Sequence, residues 1–396
     1  MRSCEIRRLV TFDEPDPKAL VKKKIDFVSG AEADEDIRKL IFSCMQCDKC
    51  TLKCPKGLYP HLLNYACRLR WVETGHSFPD IMRAALPQPR YSYHNLVMAL
   101  TSRPSDRDDI IQDVIVDPAP ADQVVFLGCV LMNRPDLLHY LLDILKIVGF
   151  TGPILMGPTH CCGRLQQMGG DGVEADRLGR DLIKTLNSFR PREVILWCTI
   201  CYQRLVNYLA PVYPLHFKPV FISDYLLDNI DKLPPLASSE AAIYTYQDPC
   251  GLTYNNITES PRRLITSVSG NELEEMVSSP KRAGCCGGNA SRLMPEIAAK
   301  LAEARVLEAS GTGASQIVTM CAGCEARMGK PAATHDMSCV NLIALIGNAL
   351  GIHHPNRWWE LRATKDVDHI INECREAIER SDYTEEEIRR ELPRYL

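Results

Sequence analysis

Short apolar runs and helical stripes alternate along the middle of this 396-residue chain. Val124–Leu127 is an apolar run that stops at Gly128. Asp136–Val148 follows, with Leu137, Leu138, Leu141, Leu142 and Leu145 at helical spacing. Pro153–Met156 reads as a second strand, Asp171–Phe189 as a helix and Val194–Trp197 as a third strand. The cycle is then written again. Ile243–Tyr246 reads as a strand, Pro261–Val268 as a helix, Leu273–Val277 as a strand, Met294–Ala309 as a helix and Gln316–Met320 as a strand. Alternation of this kind predicts α/β domains with parallel sheets and right-handed crossovers.

The flanks differ. Helices are predicted over Asp34–Phe42 and Pro60–Gly75, on either side of a cysteine-rich loop. Residues 101–123 and 232–241 are polar and proline-bearing and read as linkers. The expected organisation is a small helical domain at 1–100 and a linker at 101–123. The first repeat follows at 124–231, a linker at 232–241, the second repeat at 242–352 and a charged helical tail at 353–396. A formal charge of −4 gives no reason to expect nucleic acid or an anionic membrane surface. The polar start lacks a secretory pattern. Apolar runs such as Leu342–Leu350 fall short of the ~18 residues that span a bilayer. The expectation is a cytoplasmic protein with no transmembrane segment, able to dock on a membrane partner.

Ten of the eighteen cysteines change this picture, because they form one five-member pattern written twice. The first copy is Cys129, Cys161-Cys162, Cys198 and Cys201, and the second is Cys250, Cys285-Cys286, Cys321 and Cys324. The gaps are 31 and 35 residues in the first copy and 34 and 34 in the second. Each group follows a predicted strand, directly or after a short loop. The cysteines should therefore gather at the carboxyl edge of a parallel sheet, where such sheets hold ligands. The glycine after each doublet, Gly163 and Gly287, is expected to let backbone approach a bulky inorganic group. Thiolate-only sites suit zinc or iron–sulfur clusters. A structural zinc takes four ligands, so five cysteines with an adjacent pair favour a polynuclear cluster. A zinc-binding interaction protein is the alternative.

Cys44-x2-Cys47-x2-Cys50-x3-Cys54-Pro55 is the bacterial ferredoxin run. Cys44, Cys47 and Cys50 point to one 4Fe–4S cube, with Cys54, Cys67 or a distant cysteine as fourth ligand. Cys4, Cys67, Cys339 and Cys374 lie outside the motifs and read as buried thiols. His216 and His335 follow the two C-x2-C pairs and read equally as packing or functional residues. The glycine clusters at 169–172 and 311–313 form no phosphate loop or dinucleotide fingerprint. Trp358-Trp359 precedes the tail, a candidate partner-docking element whose blander reading is a solvated helix.

The five-cysteine unit resembles the cysteine-rich "CCG" domain over about 124–350. That domain occurs in the catalytic B polypeptide of heterodisulfide reductases and in iron–sulfur subunits of anaerobic glycerol-3-phosphate, glycolate and lactate dehydrogenases. The run at 44–55 resembles the C polypeptide of the same reductases. The chain is thus similar to a fused C–B arrangement, as in the D polypeptide of the two-subunit enzyme. The resemblance implies two non-cubane 4Fe–4S clusters. Cys129, Cys161, Cys162, Cys198 and Cys201 would hold one, and Cys250, Cys285, Cys286, Cys321 and Cys324 the other. It implies that a substrate disulfide is cleaved between facing clusters, with electrons arriving singly through a cubane cluster at Cys44, Cys47, Cys50 and Cys54. It further implies an electron-donating subunit: a flavoprotein, a ferredoxin-like protein or a membrane cytochrome b. The C polypeptide of those reductases carries two ferredoxin runs and this chain has one, which leaves the donor open. The alternative within the same resemblance is a non-catalytic subunit passing electrons from a flavin dehydrogenase to a quinone or cytochrome.

Overall fold

A computed structural model describes residues 4–76, 79–83, 85–111, 113, 116–280, 282–288 and 293–396. It forms two compact units whose chain segments interleave. One is built from 1–84, 163–176 and 239–342, the other from 85–162, 177–238 and 343–396.

Each repeat makes a four-stranded sheet with its own run of crossover helices. In the first repeat β1 (Gln123–Gly128), β2 (Ile154–Met156), β3 (Glu193–Leu196) and β4 (Lys218–Phe221) lie in the order β2-β1-β3-β4. All three pairings are parallel, with Phe126 opposite both Leu155 and Leu196. In the second repeat β5 (Ala237–Gln247), β6 (Ser269–Leu273), β7 (Gln316–Thr319) and β8 (Ser338–Asn341) take the matching order β6-β5-β7-β8. Here β5 pairs parallel with β7, and β7 with β8. The central strands read as apolar runs because both faces are covered. Val124, Val125, Phe126 and Leu127 are all fully buried.

Helices Pro135–Ile147 and Gly172–Ser188 cross over in the first repeat, and Glu259–Thr266 and Pro295–Ser310 in the second. The leucine stripe predicted at 137–145 is buried throughout. In the N-terminal region Asp34 caps helix Glu35–Phe42 by accepting from the Ile37 N–H at 2.8 Å. That helix packs with Pro17–Val28 and Pro60–Glu73 around Leu20, Phe27, Ile41 and Cys67.

Four expectations are corrected in detail. The second-repeat strand expected at Leu273–Val277 lies at Ser269–Leu273. Strand β5 begins at Ala237, inside the stretch read as a linker. The other stretch so read holds a helix at Pro104–Asp109, and Ile111 bridges to Leu155 at the edge of the first sheet. The tail is no solvated helix: Trp358, Ile370, Ile371, Cys374 and Ile388 form a core with Leu96, Val97 and Leu100 of helix Tyr93–Thr101. Trp358 donates from its indole N–H to the Tyr93 hydroxyl at 2.8 Å, while Trp359 stays half exposed.

Candidate metal centres

Parallel pairing sets the cysteines in place. Cys129 directly follows β1, and Cys198 follows neighbouring β3 after Trp197. Cys198 is also the N-cap of helix Thr199–Arg204, so the C-x2-C spacing puts Cys201 in its first turn. The second repeat copies this: Cys321 caps helix Ala322–Ala333 and Cys324 sits in its first turn. Residues three apart share a helix face, which aims both thiols of each pair the same way.

The thiols meet in a matching sequence of contacts. In the first group Cys161 hydrogen-bonds with Cys129 and Cys162, and Cys201 with Cys162 and Cys198. In the second, Cys286 hydrogen-bonds with Cys285 and lies 3.1 Å from the Cys324 sulfur, and Cys324 bonds with Cys321. Cys250 is close enough that the Cys286 and Cys321 charges act on it after burial, together pushing it up to about 12. Among the described residues no two of these cysteines are joined in a disulfide.

Several of these thiols resist ionisation. Contacts with neighbouring thiols and then burial push Cys161, Cys201, Cys285 and Cys324 well up. Cys286 is lowered instead, by its hydrogen bonding with Cys285 and Cys324, against burial, and by the Gly288 N–H. A buried thiolate persists only beside a cation that replaces its proton. Ten convergent soft donors in two apolar settings fit iron–sulfur clusters. Among the described residues no three His, Cys, Asp or Glu side chains are arranged for a single metal ion.

Glycines shape both cradles, though not as expected. Gly163 (φ 72°) and Gly287 (φ 78°) do not make room for a cluster. An added Cβ would stand 2.6 Å from the Ala175 carbonyl oxygen in one and 2.6 Å from the Ala298 carbonyl oxygen in the other. They let each doublet loop seat on the helix that follows. Gly128 and Gly157 are pressed against cysteines of the first group: their added Cβ atoms would come within 2.9 Å of the Cys201 sulfur and 2.7 Å of the Cys129 Cβ.

The N-terminal run curls through left-handed Gln46 (φ 48°) and Asp48 (φ 56°), and the Gln46 N–H donates to the Cys44 sulfur at 3.4 Å. Fully buried Arg68 holds the start of the loop, donating to the carbonyls of Ile41 (2.6 Å) and Cys44 (3.0 Å). Lys49, only 7% exposed, joins the Glu5 carboxylate (2.8 Å) to the Ala283 carbonyl. Glu5 in turn accepts from the Cys285 N–H at 3.1 Å. Cys44, Cys47, Cys50 and Cys285 line one cavity. Burial raises the Cys47 thiol, and the nearby Cys250 raises it further. The run and the second five-thiol group are therefore neighbours within one unit.

Of the other candidates, Cys67 is fully buried in the helical core and donates to the Lys24 carbonyl, away from the run. Cys374 is a core thiol as expected, and Cys339 is half-buried on β8. His335 pairs with Glu303 at 2.9 Å, and His216 is exposed. Glu5, Lys49 and Arg68 carry no sequence signal, since Lys49 and Ala283 meet across 234 residues of chain.

The family model of the cysteine-rich CCG domain matches the chain twice, at 123–205 and 244–329. The model of a 4Fe-4S dicluster domain matches residues 1–59. The chain is an iron–sulfur protein of the electron-transfer class, built on two CCG domains and a 4Fe-4S ferredoxin-type segment. Over most of its length it is similar to the D polypeptide of dihydromethanophenazine:CoB–CoM heterodisulfide reductase from Methanosarcina barkeri. The two are 27% identical over 348 residues, covering 82% of this chain and 81% of that protein. It is also 26% identical to the B polypeptide of the fumarate reductase (CoM/CoB) of Methanothermobacter marburgensis, over 72% of this chain and 56% of that one. A probable glycolate oxidase iron–sulfur subunit of Bacillus subtilis is 22% identical, over 75% and 78% of the two chains. Among the described residues no helix is long and apolar enough to cross a membrane.

Proposed function

We propose that the chain is the catalytic iron–sulfur subunit of a heterodisulfide-reductase-like complex, reducing a disulfide or, in reverse, oxidising two thiols. One observation carries this reading. Both five-thiol groups are complete, and the contacts within the doublet, between its second cysteine and the C-x2-C pair, and within that pair recur in both. Similarity to the D polypeptide of a heterodisulfide reductase, over four-fifths of both chains, supports it.

On this reading Cys129, Cys161, Cys162, Cys198 and Cys201 hold one non-cubane 4Fe–4S cluster, and Cys250, Cys285, Cys286, Cys321 and Cys324 the other. When bound, such clusters supply one-electron chemistry and iron that binds sulfur. The reaction takes two electrons and two protons per disulfide. The run at Cys44, Cys47 and Cys50 receives the electrons singly, and its cavity, shared with Cys285, supports delivery to the second group. Lys49 and Glu5 fix that approach by tying the run to the Cys285 loop. The donor is a partner protein at a cytoplasmic or membrane-peripheral location. The alternative, a pure electron-transfer role, draws on the similarity to the probable glycolate oxidase iron–sulfur subunit.

The deciding measurement is anaerobic EPR during titration with candidate thiols and disulfides. Catalysis predicts a paramagnetic signal that appears with one substrate and is lost in Cys286→Ser. A fully loaded protein, with iron near about twelve per chain, that gives no such signal and cleaves no disulfide with an artificial reductant has the electron-transfer role instead.

A further inference from the structure

The sequence leaves the fourth ligand of the N-terminal cluster open, and the fold resolves it. The cavity lined by Cys44, Cys47 and Cys50 is lined on its other side by Cys4. Cys54, the last cysteine of the run, does not line it; it lines an adjoining groove with Cys44, Cys50 and Cys4, so Cys4 faces both spaces and Cys54 only the one that Cys47 does not reach. Cys67 is spent in the helical core.

Cys4 is held beside the cavity by its neighbours. Two contacts hold the residues next to it. Ile6 is buried in a core cluster with Met45, Cys285, Ile297 and Leu301, against which Cys4 and Cys47 also pack. Glu5, next to Cys4, is held by the Lys49 ammonium at 2.8 Å and the Cys285 N–H at 3.1 Å. Both anchors stand on elements that carry cavity thiols, so they fix the Cys4 backbone beside that cavity. Cys4 itself has extended backbone (φ −88°, ψ 117°) at the start of the 3-10 turn Glu5–Arg8.

The chemistry agrees. A cube needs four thiolates, and the run supplies three around one cavity. In two-cluster ferredoxins the cysteine before proline serves a different cluster from the first three. Cys54-Pro55 is that cysteine, and this chain has no second three-cysteine run for it to serve. We infer that Cys4 is the fourth thiolate of the N-terminal 4Fe–4S cluster, completing the set with Cys44, Cys47 and Cys50, and that Cys54 is not a ligand. The inference rests on the reading of 44–50 as a cubane site.

The test compares wild type, Cys4→Ser, Cys54→Ser and Cys4→Gly, each purified anaerobically as the full chain. Readouts are iron content and low-temperature EPR of the dithionite-reduced and air-oxidised protein. Cys54→Ser should keep the reduced cubane signal at wild-type intensity. Cys4→Ser should lose at least about tenfold of it, or show a three-iron signal on oxidation, while keeping about eight irons per chain at the other two sites. Reconstitution of Cys4→Gly with excess small thiol should restore a cubane signal of altered shape. Retention of the signal in Cys4→Ser, its loss in Cys54→Ser, or failure of added thiol to restore it would each overturn the assignment. A wild-type protein with no cubane signal would instead remove the cubane reading itself, and the assignment with it.

Discussion

At the scale of single residues, buried thiols shape the protein's response to alkaline pH. Burial, with neighbouring thiols adding, pushes Cys50 and Cys250 up to about 12, and burial pushes Cys67 up to about 11 against the nearby Lys24. In an unfolded chain these thiols ionise near 9.0. Below that pH both states keep their protons and there is no linkage. Above it the unfolded chain loses protons that the metal-free fold retains, so stability falls as pH rises toward 12. Metal-free protein should therefore melt at progressively lower temperature above about pH 9, whereas loaded protein, whose thiolates are already ionised on iron, should not follow it. Parallel profiles for the two forms would contradict this. Gly128 offers a second residue-level test. An alanine there places Cβ 2.9 Å from the Cys201 sulfur, so Gly128→Ala should cost the first group about four irons and leave the second intact by iron assay and EPR.

Elements explain why some of this was legible in sequence and some was not. The crossover helices follow their apolar stripes: the leucines at 137–145 all point into the core. Strand β6 escapes the apolar pattern because it lies at the edge of its sheet, with only Asn271 buried along Ser269–Leu273. The apolar residues that suggest a strand downstream do other work or none: Met276 fills the core near Cys286, and Val277 is exposed. The cysteine groups were legible because each follows a strand whose direction the repeat dictates. Cys4 was not, because its anchors are a salt bridge and a packed isoleucine that no local spacing encodes.

The loop that carries Cys250 depends on a buried ion pair of the same kind. Arg262, on helix Glu259–Thr266, donates two bonds of 2.8 Å to Asp248 and also meets Glu275 and Ser279. Asp248 is 2% exposed. Arg262→Ala strands that carboxylate and should cost roughly 3–5 kcal/mol, read as a lowered denaturation midpoint with loss of second-group iron. Gly163→Ala and Gly287→Ala should each cost on the order of 1–3 kcal/mol from left-handed strain alone, plus displacement of the doublet loop. Equal stability of either alanine variant with wild type would refute the packing role given to these glycines.

For the whole molecule, the near-contact of the N-terminal run with the second group has a magnetic consequence. Cys47 lies within electrostatic reach of Cys250, and the run shares a cavity with Cys285. Clusters held there should broaden one another's EPR signals when both are paramagnetic. Disabling the second group with Cys324→Ser should sharpen the N-terminal signal and slow its relaxation. An unchanged N-terminal lineshape would place the electron path elsewhere.

The segment just past the first doublet belongs, in space, to the unit of the second sheet. Residues 163–176 fold with Arg68, which donates to the Met168 carbonyl, and Gly170 has no room for a side chain beside the Arg68 carbonyl. A gene cut between the repeats would therefore not yield two self-sufficient halves. A fragment ending near 231 would keep this segment and Arg68 but lose residues 239–342 of the same unit, and a fragment starting near 232 would lack both 1–84 and 163–176. Two such pieces produced together should reassociate through segment exchange, and each produced alone should be taken by proteases. The duplication visible in the sequence has, in this sense, become irreversible: the first copy has given up a segment to the unit of the second, and the two can no longer be inherited apart.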